Sequence, residues 1–390
     1  MKLNIFSAVT LLVAAYTALA APASFATVPD PHLEQRIQAA VSDFIAAESF
    51  SGAVLVADRD GRILFEGAYG TADDLQKTPF TLDTAVDIGS NAKAYAAVAI
   101  LTLAKKGKIS LQDPISGHMP NVPADKSMIT IHQLLTHSAG LPDEYNQSYV
   151  EVTREEMEKA ILAQPLLFPP GTDYSYSDMG YALIDALVER LSGEPFKAYV
   201  RSAVLDPFGL EQTGFHTEPR WAFTEGTTAV ARGYNNGREM DSPVTIPQNT
   251  WTPIGGGTLL STVHDGLTWQ SGLIEGKVLG TEWARLLFRP HVKVKEGLWY
   301  GYGWQVVQSS SRGLVYRHSG ATSSHNYYAQ FLADYGVYIV TASNRIDGTY
   351  DDRDHSGTIE DNEIIEETIY ATKLGSILSK LIAHKGEPGS

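Results

Sequence analysis

Apolar side chains recur at helical spacing from His32 to Phe50, after which the period of the chain changes. Gly52 to Ala57 and Arg62 to Ala68 alternate like strands, and Asp60-Gly61 between them is a strong hairpin turn. Residues from about 81 to 290 read mainly as helical and loop segments punctuated by Pro and Gly. Within that stretch Ala94 to Lys106 is apolar on nearly every side until Gly107 stops it, the pattern of a buried helix. A second apolar helix runs from Ala182 to Leu191. Alternation returns at Tyr302 to Gln308, Gly313 to His318, Asn326 to Leu332 and Gly336 to Ala342, and an amphipathic helix is expected over about Ile364 to Ala383. Strands from both ends of the chain are expected to pair in one antiparallel sheet. No internal repeat is visible.

Composition narrows the class. The 390 residues are 43% apolar and 19% charged, an ordinary globular balance with enough chain for a large core. The net charge of −15 argues against a nucleic-acid, anionic-membrane or polyanionic partner, because each needs a basic face. Met1 to Ala20 reads as a secretory signal: Lys2 gives a positive start, Ile5 to Leu19 an apolar stretch, and Ala18-Leu19-Ala20 a small-x-small cleavage site. A second cleavage position lies after Ala26. The alternative is an uncleaved anchor, but the run falls short of the ~20 residues that span a bilayer, and no other membrane span is expected. The chain has no cysteine, which leaves no disulfide and no lipid-attachment thiol. A periplasmic or secreted protein is expected.

Ser90 and Lys93 stand three residues apart at the head of the buried apolar segment. Positions i and i+3 of a helix share a face, so the Lys93 ammonium comes within hydrogen-bond reach of the Ser90 oxygen. A serine hydroxyl is a weak nucleophile until a neighbouring base takes its proton. Gly89 permits a tight entry turn, and at the amino end of a core helix the unbonded N–H groups and the dipole favour developing negative charge. Ser-x-x-Lys alone is a common pattern; its buried setting and two further segments give it weight.

Those segments are Pro169-Pro170-Gly171-Thr172-Asp173-Tyr174-Ser175-Tyr176-Ser177-Asp178-Met179-Gly180-Tyr181 and Tyr316-Arg317-His318-Ser319-Gly320. With Ser90 and Lys93 they resemble the three motifs of the serine β-lactamase and penicillin-binding-protein superfamily, in the branch that holds class C β-lactamases, D-alanyl-D-alanine carboxypeptidases, D-aminopeptidases and esterases. Flanking stretches at 103–114, 133–142 and 255–262 resemble it too, so the likeness runs from about residue 35 to 345. It implies a β-lactamase/transpeptidase-like fold of the α/β (α+β) class, an antiparallel sheet flanked by helices plus an all-helical lobe. One domain over 30–390 would divide into a sheet lobe at about 30–80 and 290–390 and a helical lobe at about 81–290, with the site in the cleft between them.

On this likeness Ser90 attacks the scissile carbonyl, and Lys93 and the Tyr176 phenol relay protons beside it. A tyrosine ionises near ~10 by itself, and the adjacent ammonium is expected to lower that value. The oxyanion is expected on the backbone N–H groups of Ser90 and Ala321, beside Ser319 and Gly320. His318 stands where many relatives carry lysine, so attraction for a substrate carboxylate is expected to be weaker or dependent on pH. Asp178 stands where the usual pattern has asparagine. An ionised aspartate only accepts hydrogen bonds, which weakens the case for β-lactam hydrolysis. Asp178 is expected to pair with Lys93 or with a substrate amine, favouring amino-bearing amides or small esters.

The expected activity is therefore acyl-enzyme hydrolysis of D-amino-acid amides or peptides, β-lactams or small esters, with a penicillin-binding sensor or scaffold that acylates with little turnover as the alternative. A Gly-x-Ser-x-Gly elbow, a Glu-x-x-Leu-Asn segment after Tyr176 and a His-Glu-x-x-His motif are all missing from the sequence. His132 and His137 are five apart, off a common helical face, so catalysis is expected to need no metal or other cofactor. The partner is a small-molecule or peptide substrate, and the oligomeric state is open. Asp352 to Glu363 matches a twelve-residue calcium loop, with Asp352, Asp354, Ser356, the Thr358 carbonyl, Glu360 and Glu363 as ligands of a structural ion.

Overall fold

The computed structural model describes residues 32–143, 152–221, 230–240, 251, 259–347 and 370–384. The leader at 1–20, with its second cleavage position at Ala26, and the calcium-loop ligands Asp352, Asp354, Ser356, Thr358, Glu360 and Glu363 lie outside the described residues. Among those described, no helix is long and apolar enough to cross a membrane.

Helix α1 (Leu33–Ala47) buries Ile37, Val41 and Phe44. The hairpin beyond it closes where Asp58 accepts the N–H groups of Asp60 and Arg62 and Gly61 takes φ +81°. Its strands, Gly52–Asp58 and Ile63–Tyr69, form one edge of an eight-stranded antiparallel sheet. From the opposite edge the sheet runs Val292–Lys295, Leu298–Tyr300, Gln305–Ser309, Gly313–Ala321, Asn326–Leu332 and Val337–Ser343. Gly52–Asp58 pairs with Val337–Ser343 in register from Gly52↔Ser343 to Asp58↔Val337, which joins the two ends of the chain.

Alternation along these strands splits the core. Val54, Val56 and Ile339 face α1 and the last helix, Tyr370–Ala383, through its Leu374 and Leu378. Ala53, Leu55, Val340 and Ala342 face the body of the protein, which is built on α2 (Ala92–Lys105). Every residue from Ala92 to Ala104 is buried, as an apolar helix without a polar face requires. Short α3 (Ile131–Leu135) starts on a capping box between Thr130 and Gln133. Helix α4 (Arg154–Leu162) is tied to α5 (Asp178–Ser192) by the Arg190–Glu158 ion pair. Helix α5 begins on the Ser177 cap, ends on left-handed Gly193 and packs against α2.

The structure differs from the sequence reading in three places. The sheet carries two short strands, Val292–Lys295 and Leu298–Tyr300, which the alternation does not announce. The following strand starts at Gln305 instead of Tyr302, because Gly303 turns at φ +73°. The helical part also contains a three-stranded sheet of Val86–Asp87, Leu259–Ser261 and Gly214–Phe215, which delivers the chain to Ser90.

Candidate active site

Asp87 ends its short strand with its carboxylate accepting the Gly89 N–H at 2.8 Å, and Gly89 turns at φ +52°. Ser90 then sits in one 3-10 turn, Gly89–Asn91, ahead of α2 rather than on the α-helix itself. The Asn91 side-chain amide fixes that turn by donating to Tyr327 O at 3.1 Å and Ile88 O at 3.3 Å. The i, i+3 relation survives: Lys93 Nζ donates to Ser90 Oγ at 2.9 Å.

Across from the turn runs Gly313–Ala321. A Cβ on Gly320 would lie 1.9 Å from Ile88 O and 2.8 Å from Ser90 N, and a Cβ on Gly89 would lie 2.7 Å from Ala321 N. Only glycine allows this approach, which brings the amides of Ser90 and Ala321 to one edge. Two such amides suit an anionic oxygen.

Lys93 is fully buried, and its ammonium meets Asp178 Oδ1 at 2.5 Å while Asp178 stays 26% exposed. Asp178 is placed by its backbone: its N–H bonds Asp143 Oδ1 at 2.8 Å, and Ser177 caps α5 while donating its hydroxyl to Pro142 O at 2.6 Å. His137, at φ +56°, accepts the Ser177 N–H on Nδ1 at 3.0 Å, and its ring lies 4.3 Å from that of Tyr176. Ser90, Lys93, Tyr176 and Asp178 thus share one pocket.

The Tyr176 ring lies 4.7 Å from the Lys93 ammonium. Contrary to the sequence-based expectation, the phenol is pushed well above the ordinary tyrosine range. Burial is the main cause, Tyr300 and Asp178 add to it, and the hydrogen bond to Ser90 opposes it. The charge of Lys93 is matched by Asp178, so little of it remains to favour phenolate.

His318 is buried. Its Nδ1 bonds the Ser319 carbonyl at 2.6 Å, which puts the proton there, and Nε2 then accepts from the Tyr300 hydroxyl at 2.9 Å. The ring is held to the Tyr176 cluster through Tyr300. Among the described residues no group of three or more His, Asp or Glu side chains is placed to hold a metal.

Sequence reasoning assigned no role to Tyr300, one of several aromatics that could line a substrate cleft, and passed over Asp143 and two buried acids. Asp185 lies fully buried on α5; burial pushes its carboxyl well above the usual range and the Lys93 charge opposes the rise. An acid in the middle of the apolar Ala182–Leu191 run was the one signal for it. Asp87 is buried as well, and desolvation raises it to about 7 against the pull of the Gly89 N–H. Between pH 3.8 and about 7 the folded chain keeps a proton on Asp87 that the unfolded chain releases. Its stabilising contribution is therefore complete below pH 3.8 and is lost as pH rises through about 7. Asp87→Asn keeps an acceptor for Gly89, so the variant should flatten this slope and gain on the order of 4 kcal/mol over wild type above neutrality. Urea melts of both proteins at pH 5 and pH 8 check it; parallel losses between the two pH values would remove Asp87 from the account.

A buried lysine on a serine, with the serine's own amide brought beside that of Ala321 in a sheet-and-helix scaffold, defines a serine hydrolase-type site of the β-lactamase and penicillin-binding kind. The chain belongs to the Beta-lactamase family, whose family model matches residues 37–361. It is 24% identical over 318 residues to "Penicillin-binding protein 4*" of Bacillus subtilis (strain 168), covering 77% of this chain and 69% of that one. Among solved structures it is similar to a penicillin binding protein from Bacillus halodurans (TM-score 0.67, 23% identity, 85% of this chain and 98% of the other). It is also similar to EstCE1, described as a hydrolase with promiscuous acyltransferase activity (TM-score 0.72, 21% identity, 90% and 98%).

Proposed function

We propose that the protein hydrolyses small esters and D-amino-acid amides through an acyl-enzyme on Ser90, with β-lactams as poorer substrates. The observation that carries this is the Ser90–Lys93–Asp178 chain, with contacts of 2.9 and 2.5 Å. As Ser90 Oγ bonds the carbonyl carbon, its proton passes to Nζ while Lys93 yields a proton to Asp178. The negative oxygen settles on the Ser90 and Ala321 amides. Tyr176, kept protonated by burial, gives its proton to the leaving group and is reprotonated through Lys93. Water then enters by the same relay in reverse and frees the acid. The expected leader at 1–20 fits a periplasmic or secreted place for this chemistry.

Progress curves with p-nitrophenyl acetate, a D-alanyl anilide and nitrocefin test the proposal. Steady turnover of the first two supports it; a stoichiometric burst that stops would instead make the protein a penicillin-binding sensor or scaffold. Asp178→Asn removes the proton acceptor and adds a donor. Ester turnover should fall by roughly 10- to 100-fold, while nitrocefin turnover rises. Unchanged rates on every substrate would defeat the role given to Asp178.

A further inference from the structure

Apart from the serine, α3, the Leu111 turn and the segment from Leu286 to His291 line an open cavity of about 410 Å³, with Tyr302 on one side. Backbone bonds shape it: Tyr302 N–H donates to Leu287 O at 3.0 Å and His291 N–H to Tyr300 O at 3.1 Å. Arg289 stands on its lining, exposed, and no acidic side chain pairs with it among the described residues. Arg289 is instead the charge felt by His132, His291 and Tyr302. Burial lowers both histidines, His291 to about 4, so the rings are neutral at physiological pH and the lining carries a single positive charge.

The polar atoms complete the picture. His291 Nε2 donates to Leu286 O at 2.8 Å, which leaves Nδ1 as an acceptor. His132 Nδ1 and the Tyr302 hydroxyl bond each other at 2.8 Å. That pair owns one N–H and one O–H and uses one of them in the mutual bond, so one donor remains for a guest whichever way the proton lies. Leu111 and Leu286 supply apolar wall.

We infer that this cavity binds a small organic carboxylate, with Arg289 holding the carboxylate and the leucine wall covering its apolar body. One guanidinium and an apolar wall match an organic monoanion, whereas inorganic phosphate, split between singly and doubly charged forms near neutrality, has no apolar body for the leucines and finds no second cation on the lining. The inference does not depend on the hydrolase reading.

Calorimetric titration of the full chain with benzoate, at neutral pH and low salt, tests it. Saturable binding is expected. Arg289→Gln should weaken it roughly 10- to 100-fold, the worth of a charge-assisted contact, and uncharged benzamide should bind correspondingly worse. A wild-type melting curve for Arg289→Gln shows that the variant is folded, whether or not the protein turns over esters. Three results overturn the assignment: no saturable binding by wild type, equal affinity in Arg289→Gln, or inorganic phosphate bound more tightly than benzoate.

Discussion

Under the proposed mechanism, Ser90→Ala is expected to leave no covalent adduct with any acyl donor and to lower ester hydrolysis by roughly 10⁴- to 10⁶-fold. The substitution removes one oxygen from a turn that Asp87, Gly89 and Asn91 hold by other bonds, so the fold is expected to stand. Intact-protein mass spectrometry after mixing with p-nitrophenyl acetate reads the adduct directly. An acyl increment persisting in the alanine variant would place the nucleophile elsewhere and end the mechanism.

Lys93→Met separates chemistry from stability. Methionine fills much the same volume, but Ser90 loses its proton acceptor and Asp178 loses the cation 2.5 Å away. Activity should drop by roughly 10³-fold or more. Breaking a buried pair from one side costs several kcal/mol in well-desolvated cases. Asp178 keeps some water contact, so the expected destabilisation here is smaller, about 1–2 kcal/mol. Adding Asp178→Asn removes the orphaned charge. The double variant should melt near wild type while remaining inactive. Recovery of hydrolysis together with stability would show that the pair serves folding and not proton transfer.

Local signals carried far in this chain. The i, i+3 spacing of Ser90 and Lys93 and the apolar run behind them are visible in the sequence because a helix face is a local property. Asn326–Leu332 and Val337–Ser343 were legible for the same reason, as strands long enough to show composition and turns. Val292–Lys295 and Leu298–Tyr300 are too short, at the far edge of the sheet, for any period to emerge. The sign of the Tyr176 shift was not legible either. It depends on Lys93 already being committed to Asp178, a contact between residues 85 positions apart. Asp87 looks like an ordinary acid in sequence, and Asp185 is marked only by the apolar run around it; what distinguishes both is their buried surroundings, which only the assembled helices and sheets create.

The pairing of Gly52–Asp58 with Val337–Ser343 has a kinetic consequence. During synthesis Gly52–Asp58 pairs at once with Ile63–Tyr69, but its other edge waits for a partner almost three hundred residues downstream, so the sheet cannot be completed until nearly the whole polypeptide has emerged. Until then Val54 and Val56 lack one of their two neighbour strands and the final helix, and the unfinished edge invites association with other chains. A protein wired in this way depends on being kept apart from its copies while it is made, and fragments that stop short of Ser343 should be recovered as aggregates.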